Sequence, residues 1–228
     1  MLWKISWSRQ IYLYVKMKTQ FIPSIIAKNQ KELDQRLNKV KFSKIIQLDV
    51  MNGKFVKNKS LQFDFIIPKY YFLRKIRYEA HLMMKDPQDW IKKYYNKFDL
   101  IIIHIESNNI EKSIELIRKN KKKIGIAINP KTLLNKLKNI HIKDFDTLLI
   151  MTVYPGKYGS KLLPEMLKKV KQARKLYPSL NIEVDGGITN KTIQKAKQAG
   201  ANKFVVGSYL QNANDAGKAM KKIRENIK

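Results

Sequence analysis

The sequence predicts a single-domain α/β protein built as an eightfold (β/α)8 (TIM) barrel. Three observations predict it. Eight short β-branched runs are separated by stretches of helical spacing. The repeat is about 26 residues per strand–helix unit, near the lower end of the barrel's usual size. The segment after the first run, Ala27-Lys28-Asn29-Gln30, contains no glycine. Alternating strand and helix signals imply βαβ units and a parallel sheet. An open doubly wound sheet normally has fewer strands and often a glycine-rich first turn.

The strand runs, in order, are QFIPSII (20–26), KIIQLDV (44–50), YEAHLMM (78–84), DLIIIHIE (99–106), KIGIAIN (123–129), TLLIMTV (147–153), NIEVDGG (181–187) and KFVVGS (203–208). Helical spacing fills the intervals 30–40, 87–95, 110–120, 163–176, 189–199 and 212–227. In the first of these Leu33, Leu37 and Val40 form one stripe. Residues 1–16, MLWKISWSRQIYLYVK, read as a short non-catalytic extension ahead of a barrel domain over 17–228. Lys4, Ser6, Ser8, Arg9 and Gln10 interrupt the apolar stretch that a secretory signal needs.

Composition narrows the class. Hydrophobic residues at 44% exclude a disordered chain, and no apolar run approaches the length of a spanning helix. Zero cysteines exclude a disulfide scaffold, a cysteine zinc site and a cysteine nucleophile. A soluble, cytoplasmic protein is expected. The net charge of +29 suggests nucleic acid at first sight, but forty lysines accompany only seven arginines and are scattered from end to end. Arginine is the residue favoured for bidentate phosphate and base contacts. The one basic triplet, Lys121-Lys122-Lys123, lacks neighbouring aromatics and reads as a solvated turn. No nucleic-acid or membrane partner is therefore expected; the positive surface instead draws in anionic metabolites.

Chemistry in this fold collects at the C-terminal ends of the strands. Asp49, His81 and Asp185 stand there in apolar runs, with Ser24 in the first strand and His104 with Glu106 at the end of the fourth. Buried carboxylates are costly unless paired or coordinated, so the two aspartates and His81 together mark a site. His104 alone reads as a hydrogen-bonded core residue and His141 as a surface one. Gly186-Gly187 follow the seventh strand and Gly207-Ser208 the eighth, where loops of this fold commonly hold phosphate. Gly156 and Gly159 after the sixth supply a third wall. Two carboxylates, an imidazole and a phosphate cradle suggest proton transfer at carbon in a phosphorylated sugar, with an Asp/His-held metal as Lewis acid.

These segments resemble the ribulose-phosphate 3-epimerase family over roughly residues 20–226. The resemblance is carried by IPSII (22–26), QLDVMNGKFVKN (47–58), EAHLMMKDPQDWI (79–91), IIHIES (102–107), GIAINP (125–130), IMTVYPGKYG (150–159), IEVDGGI (182–188) and VVGS (205–208). It implies interconversion of D-ribulose 5-phosphate and D-xylulose 5-phosphate, one divalent metal ion (Zn, Fe, Mn or Mg) and a homo-oligomer. By resemblance Asp49 and Asp185 are the acid/base pair and also metal ligands, and His81 is a third ligand. Ser24, Met51, Met83 and Met151 contact substrate; Gly156, Gly159, Gly186, Gly187, Gly207 and Ser208 hold its phosphate.

The chain also departs from the family pattern. Gln47 replaces a second ligating histidine, which implies a weakened or altered metal site. Asn52 replaces an aspartate, Asn29 an acidic residue, and the phosphate loop reads Pro155-Gly156-Lys157-Tyr158-Gly159-Ser160. Lys157 either compensates for a lost glycine or points to solvent. Two alternatives stay open: an epimerase for a six-carbon ketose phosphate such as allulose 6-phosphate, and a non-catalytic sugar-phosphate-binding relative.

Overall fold

The computed structural model describes residues 17–68, 74–156 and 158–227. The extension expected over 1–16 and the side chain of Lys157 lie outside the described residues. The strands are β1 (Gln20–Ile25), β2 (Ile45–Asn52), β3 (Lys59–Ser60), β4 (Arg77–Met83), β5 (Leu100–His104), β6 (Lys123–Ile128), β7 (Thr147–Met151), β8 (Asn181–Asp185) and β9 (Lys203–Val206). All except β3 pair in parallel, and the β1–β2 pairing at Ser24↔Gln47 closes the ring. The short β3 runs antiparallel to the end of β2, with Met51 opposite Ser60. The expected eightfold barrel is therefore present, with one extra strand at its rim.

The helices are α1 (Gln30–Lys39), α2 (Gln88–Tyr94), α3 (Ile110–Lys119), α4 (Met166–Leu176), α5 (Ile193–Ala199), α6 (Ser208–Gln211) and α7 (Ala216–Glu225). In α1 the side chain of Asn29 accepts from Glu32 N at 2.9 Å, and the Glu32 carboxylate accepts from Lys28 N at 2.9 Å. These reciprocal bonds resemble a capping box and fix the start of the helix. Three helices begin three or four residues later than their apolar spacing predicts, α4 among them at Met166 rather than 163. Before α5 the Thr192 hydroxyl donates to Gly187 O at 2.8 Å and accepts from Thr189 N at 2.9 Å, a local alternative to helical bonds. Before α7 the Asp215 side chain accepts from Lys218 N at 2.9 Å and caps the helix three residues beyond its predicted start at 212. After β6 the chain makes two 3₁₀ turns, Leu134–Asn139 and Ile142–Asp144.

Side chains alternate across each strand, and this parity sorts the interior. Leu48, Val50, Ala80, Leu82, Ile101, Ile103, Val184 and Phe204 join the helix stripes in one outer core with Leu33, Leu37 and Ile117. Their neighbours Leu100, Ile102, Ala127, Leu149 and Met151 form a separate inner cluster. Asp49, His81 and Asp185 share that inward parity, as do Gln47, Glu79, Glu183 and Lys203.

The last three form a buried ion triad nearer the N-terminal ends of the strands. Lys203 Nζ lies 2.8 Å from Glu79 and 2.5 Å from Glu183, and all three side chains are almost wholly buried. Burial pushes the Glu183 carboxyl up to about 8, against the pull of Lys203. Removing the only cation of such a cluster strands buried carboxyls, so Lys203→Met is expected to destabilise the fold by about 3–5 kcal/mol in urea unfolding. The neutral form of Glu183 is the one favoured by folding. The stability it confers is fully present below the ordinary value of 4.5 and is lost as pH rises through about 8. Glu183→Gln is therefore expected to gain stability relative to the wild type between pH 5 and pH 8; an unchanged difference across that range contradicts this reading.

Candidate active site

The strand ends bring the predicted residues together. Asp49 sits within β2 two residues after Gln47, His81 lies beside it on β4 in register, and Asp185 closes β8. His81 Nδ1 is 3.3 Å from Asp49 Oδ1 and 3.3 Å from Asp185 Oδ2. Gln47 Nε2 donates to the same two oxygens at 2.8 and 3.1 Å. One imidazole and one amide thus clamp both carboxylates from below. Gln47 and His81 are fully buried.

The electrostatics follow from this crowding. Burial opposes a charge on His81, but the hydrogen bonds and charges of Asp185 and Asp49 prevail and raise it to about 9. Burial raises the Asp49 carboxyl, joined by the charge of Asp185 and resisted by the hydrogen bonds from His81 and Gln47. Below this layer the imidazole of His104 faces His81, and burial pulls it down to about 4, helped by the charge of His81 against the opposing pull of Glu106.

Asp49, His81 and Asp185 form a group that could hold a metal ion, with one ligand atom from each lying within 4.8 Å of the others. Gln47 Oε1 is buried and has no hydrogen-bond partner. Turning the amide over would present this oxygen to the same point, because amide oxygen and nitrogen are interchangeable in shape. The donor set of two carboxylates, one imidazole and one amide oxygen suits a divalent cation, and suits hard ions better than an all-nitrogen set does.

Above the carboxylates lies a cavity of about 60 Å³. Met51, Met83 and Met151 wall it, and Ser24, Asp49 and Asp185 reach into it. Gly156, Gly159, Gly186, Gly187, Gly207 and Ser208 all line its outer edge. Every residue singled out for substrate, phosphate or acid/base work therefore meets in one place, whereas His81 and Gln47 lie beneath its floor. The glycines have physical reasons. A Cβ on Gly187, which has φ +67°, would sit 2.2 Å from Leu162 N. One on Gly207 would meet Ser24 Oγ at 2.7 Å.

Thr152, Tyr158, His104 and Glu106 were not assigned site roles from the sequence. Thr152 holds the Asp185–Gly186 backbone: its N–H donates to Asp185 O at 2.7 Å, and its hydroxyl lies 2.6 Å from Gly186 O. No sequence spacing marks it, since the partner is a backbone carbonyl on the next strand. Tyr158 roofs the cavity, and the Arg36 guanidinium lies 5.8 Å from its ring centre. The expectation for His104 as a hydrogen-bonded core residue holds, although its partner is His81 itself at 2.9 Å. His141 is exposed, as expected; of the basic triplet, Lys121 lies in the turn after α3 and Lys123 is the first residue of β6. Asn52 ends β2 and its side chain accepts from Lys54 N at 3.1 Å in the turn that follows.

Fold and site define a class: a (β/α)8 barrel whose strand ends carry a carboxylate–imidazole centre beneath a glycine-rimmed cavity. The Ribulose-phosphate 3 epimerase family model matches residues 20–211. The ribulose-phosphate 3-epimerase of Schizosaccharomyces pombe is 32% identical over 92% of this chain and 95% of its own length. That of Bacillus subtilis is 31% identical over 78% of this chain and 85% of its own. Among solved structures, 3-hexulose-6-phosphate synthase from Salmonella typhimurium superposes with a TM-score of 0.66 at 15% identity, covering 91% of this chain and 98% of that one. At that identity the likeness shows the fold alone. The chain belongs to the ribulose-phosphate 3-epimerase family, a family of isomerases.

Gly187 gives the sharpest local test. Its left-handed backbone and the contact with Leu162 leave no room for a methyl group, so Gly187→Ala is expected to destabilise the protein by about 1–3 kcal/mol in urea unfolding. A neutral substitution would mean that the loop after β8 adapts freely.

Proposed function

We propose that this protein is a ribulose-phosphate 3-epimerase that interconverts D-ribulose 5-phosphate and D-xylulose 5-phosphate by two-base proton transfer at C3. The observation that carries this reading is the convergence of Asp49 and Asp185. The two carboxylates come from strands three places apart around the ring, yet share one imidazole nitrogen at 3.3 Å and open into the same cavity.

In the proposed reaction one aspartate, ionised, takes the C3 proton while the other, protonated, gives its own to the opposite face of the planar enediolate and ends ionised, inverting the centre. Gln47 and His81 keep both carboxylates aimed at the cavity floor. The methionine walls surround the reacting carbons with apolar, polarisable surface and exclude water. The glycine loops approach the phosphate with backbone N–H groups, which only residues lacking Cβ allow at Gly187 and Gly207. A divalent ion would be held by Asp49, His81 and Asp185, joined by Gln47 Oε1 once the amide turns over, and would supply Lewis-acid stabilisation of charge developing on the substrate oxygen.

Beside Tyr158 and Met51 a groove of about 540 Å³ leads outward, lined by Lys28, Arg36, Lys57 and Lys59 and by no carboxylate. Such a positive approach concentrates an anionic substrate at the mouth.

Three outcomes test the proposal. In a coupled assay, Asp185→Asn is expected to lower kcat about 10²–10⁴-fold with the fold retained; full activity would sink the two-base scheme. Gln47→His is expected to leave turnover similar or higher and to tighten zinc, because that metal favours imidazole nitrogen over amide oxygen. Elemental analysis and activity after chelation check this, and zinc already held stoichiometrically at high affinity by the wild type would refute the altered preference. The steering groove predicts that KM rises with ionic strength, and that Lys28→Glu with Lys59→Glu raises it about tenfold at low salt. The ratio of kcat/KM on ribulose 5-phosphate and allulose 6-phosphate separates pentulose from hexulose preference.

A further inference from the structure

Two buried groups beneath the floor take no part in the proposed chemistry. His104 ends β5 and is fully buried, with the Phe55 ring packed 4.6 Å from it, centre to centre. Its Nε2 lies 2.9 Å from His81 Nε2, and its Nδ1 lies 3.2 Å from Glu106 Oε2. The other oxygen of Glu106 accepts the backbone N–H of Asn129 at 3.0 Å.

Hydrogen counting gives this chain a direction. Two ring nitrogens 2.9 Å apart share one hydrogen; two hydrogens or two lone pairs between them would repel. His81 turns Nδ1 toward Asp49 and Asp185, so a lone pair available to a cation there requires the hydrogen on Nε2. That hydrogen is donated to His104 Nε2, which must then be bare. The His104 hydrogen therefore sits on Nδ1 and is donated to Glu106. Glu106 can only accept while ionised, and the Asn129 N–H holds its second oxygen. Every link has one donor and one acceptor, and the ring planes of the two histidines lie within 22° of each other, as an in-line bond between them needs.

We propose that His104 and Glu106 are positioning residues that lock the tautomer and orientation of His81, leaving its Nδ1 lone pair aimed at the point where Asp49 and Asp185 converge, and thereby set the affinity of that group for a divalent ion. The inference rests on the metal-holding reading of Asp49, His81 and Asp185, and extends it to residues that touch neither ion nor substrate. Partners that fix the second nitrogen of a ligating histidine are typically worth about 10–100-fold in metal affinity.

The first test needs no metal. The chain has three histidines, His81, His104 and His141. Two-bond ¹H–¹⁵N correlation spectra of the metal-free protein, assigned with His104→Gln and His141→Gln, read each tautomer directly. The expected result is His104 with hydrogen on Nδ1 and a bare Nε2; hydrogen on Nε2 overturns the proposal.

The second test is calorimetric titration with Mn²⁺ and Zn²⁺. His104→Phe removes the acceptor and is expected to weaken binding about 10–100-fold. His104→Gln, whose amide oxygen can accept from His81, is expected to recover most of that loss. Glu106→Gln, left with one oxygen for two donors, is expected to fall between them. Equal affinity in wild type and His104→Phe overturns the proposal, as does equal loss in His104→Phe and His104→Gln, which is the pattern of a packing role. If neither ion binds the wild type, the metal reading fails and the affinity claim falls with it; the spectra still report the orientation of His81. If the substituted proteins do not fold, the wild-type spectra decide.

Discussion

Two carboxylates held against one buried imidazole nitrogen repel each other, and the rest of the site is arranged around containing that repulsion. Asp49 and Asp185 each lie 3.3 Å from His81 Nδ1, and Gln47 Nε2 reaches both. Desolvation alone would drive such carboxylates toward their neutral forms. A cationic or metal-facing imidazole and a neutral amide donor oppose this while also fixing where the carboxylates point. Thr152 clamps the backbone that carries Asp185, so the geometry is held from the main chain as well as from the side chains.

This arrangement divides the barrel interior along its axis. Toward the N-terminal ends of the strands stands a closed ion triad, Glu79–Lys203–Glu183, with short contacts and almost no exposure. At the C-terminal ends come the carboxylates, the imidazoles and the methionine walls. The two sets of buried groups feel each other: burial first, and then the charges of Glu79 and Asp185, raise the Glu183 carboxyl against the pull of Lys203. The fold uses one face for stability and the other for chemistry, the division expected of this architecture.

The departures from the family pattern each have a local role. Gln47 bridges the carboxylates that a ligating histidine would meet through a metal. Asn29 caps α1 and Asn52 closes the turn after β2, both through the short polar side chain that such positions favour. Tyr158 fills the roof and packs beneath Arg36, which ties the loop after β7 to the first helix. Another of the seven arginines, Arg174, is wholly occupied inside the fold: it donates to Gly200 O, Leu180 O and Asn202 Oδ1 and joins two loops at the N-terminal side.

The strand order, the number of units and the residues that converge at the candidate site were legible in the sequence, because they depend on local periodicity and on costly groups in apolar runs. Asp49, His81 and Asp185 stand out for that reason alone. Helix starts at Ile193 and Ala216 were not legible, since Thr189, Thr192 and Asp215 divert the backbone through bonds that apolar spacing ignores. Nor does the sequence mark Glu79, Glu183 and Lys203 as buried partners. A charged residue near the beginning of a strand looks solvated until the register turns it inward. By itself the sequence determined which residues are present and which face of each strand they share, because side chains alternate with a fixed period of two. Only the tertiary structure decided which of them meet. The register of β4 on β5 places His104 against His81, and closing the ring brings Lys203 of the last strand to Glu79, far from it in the chain.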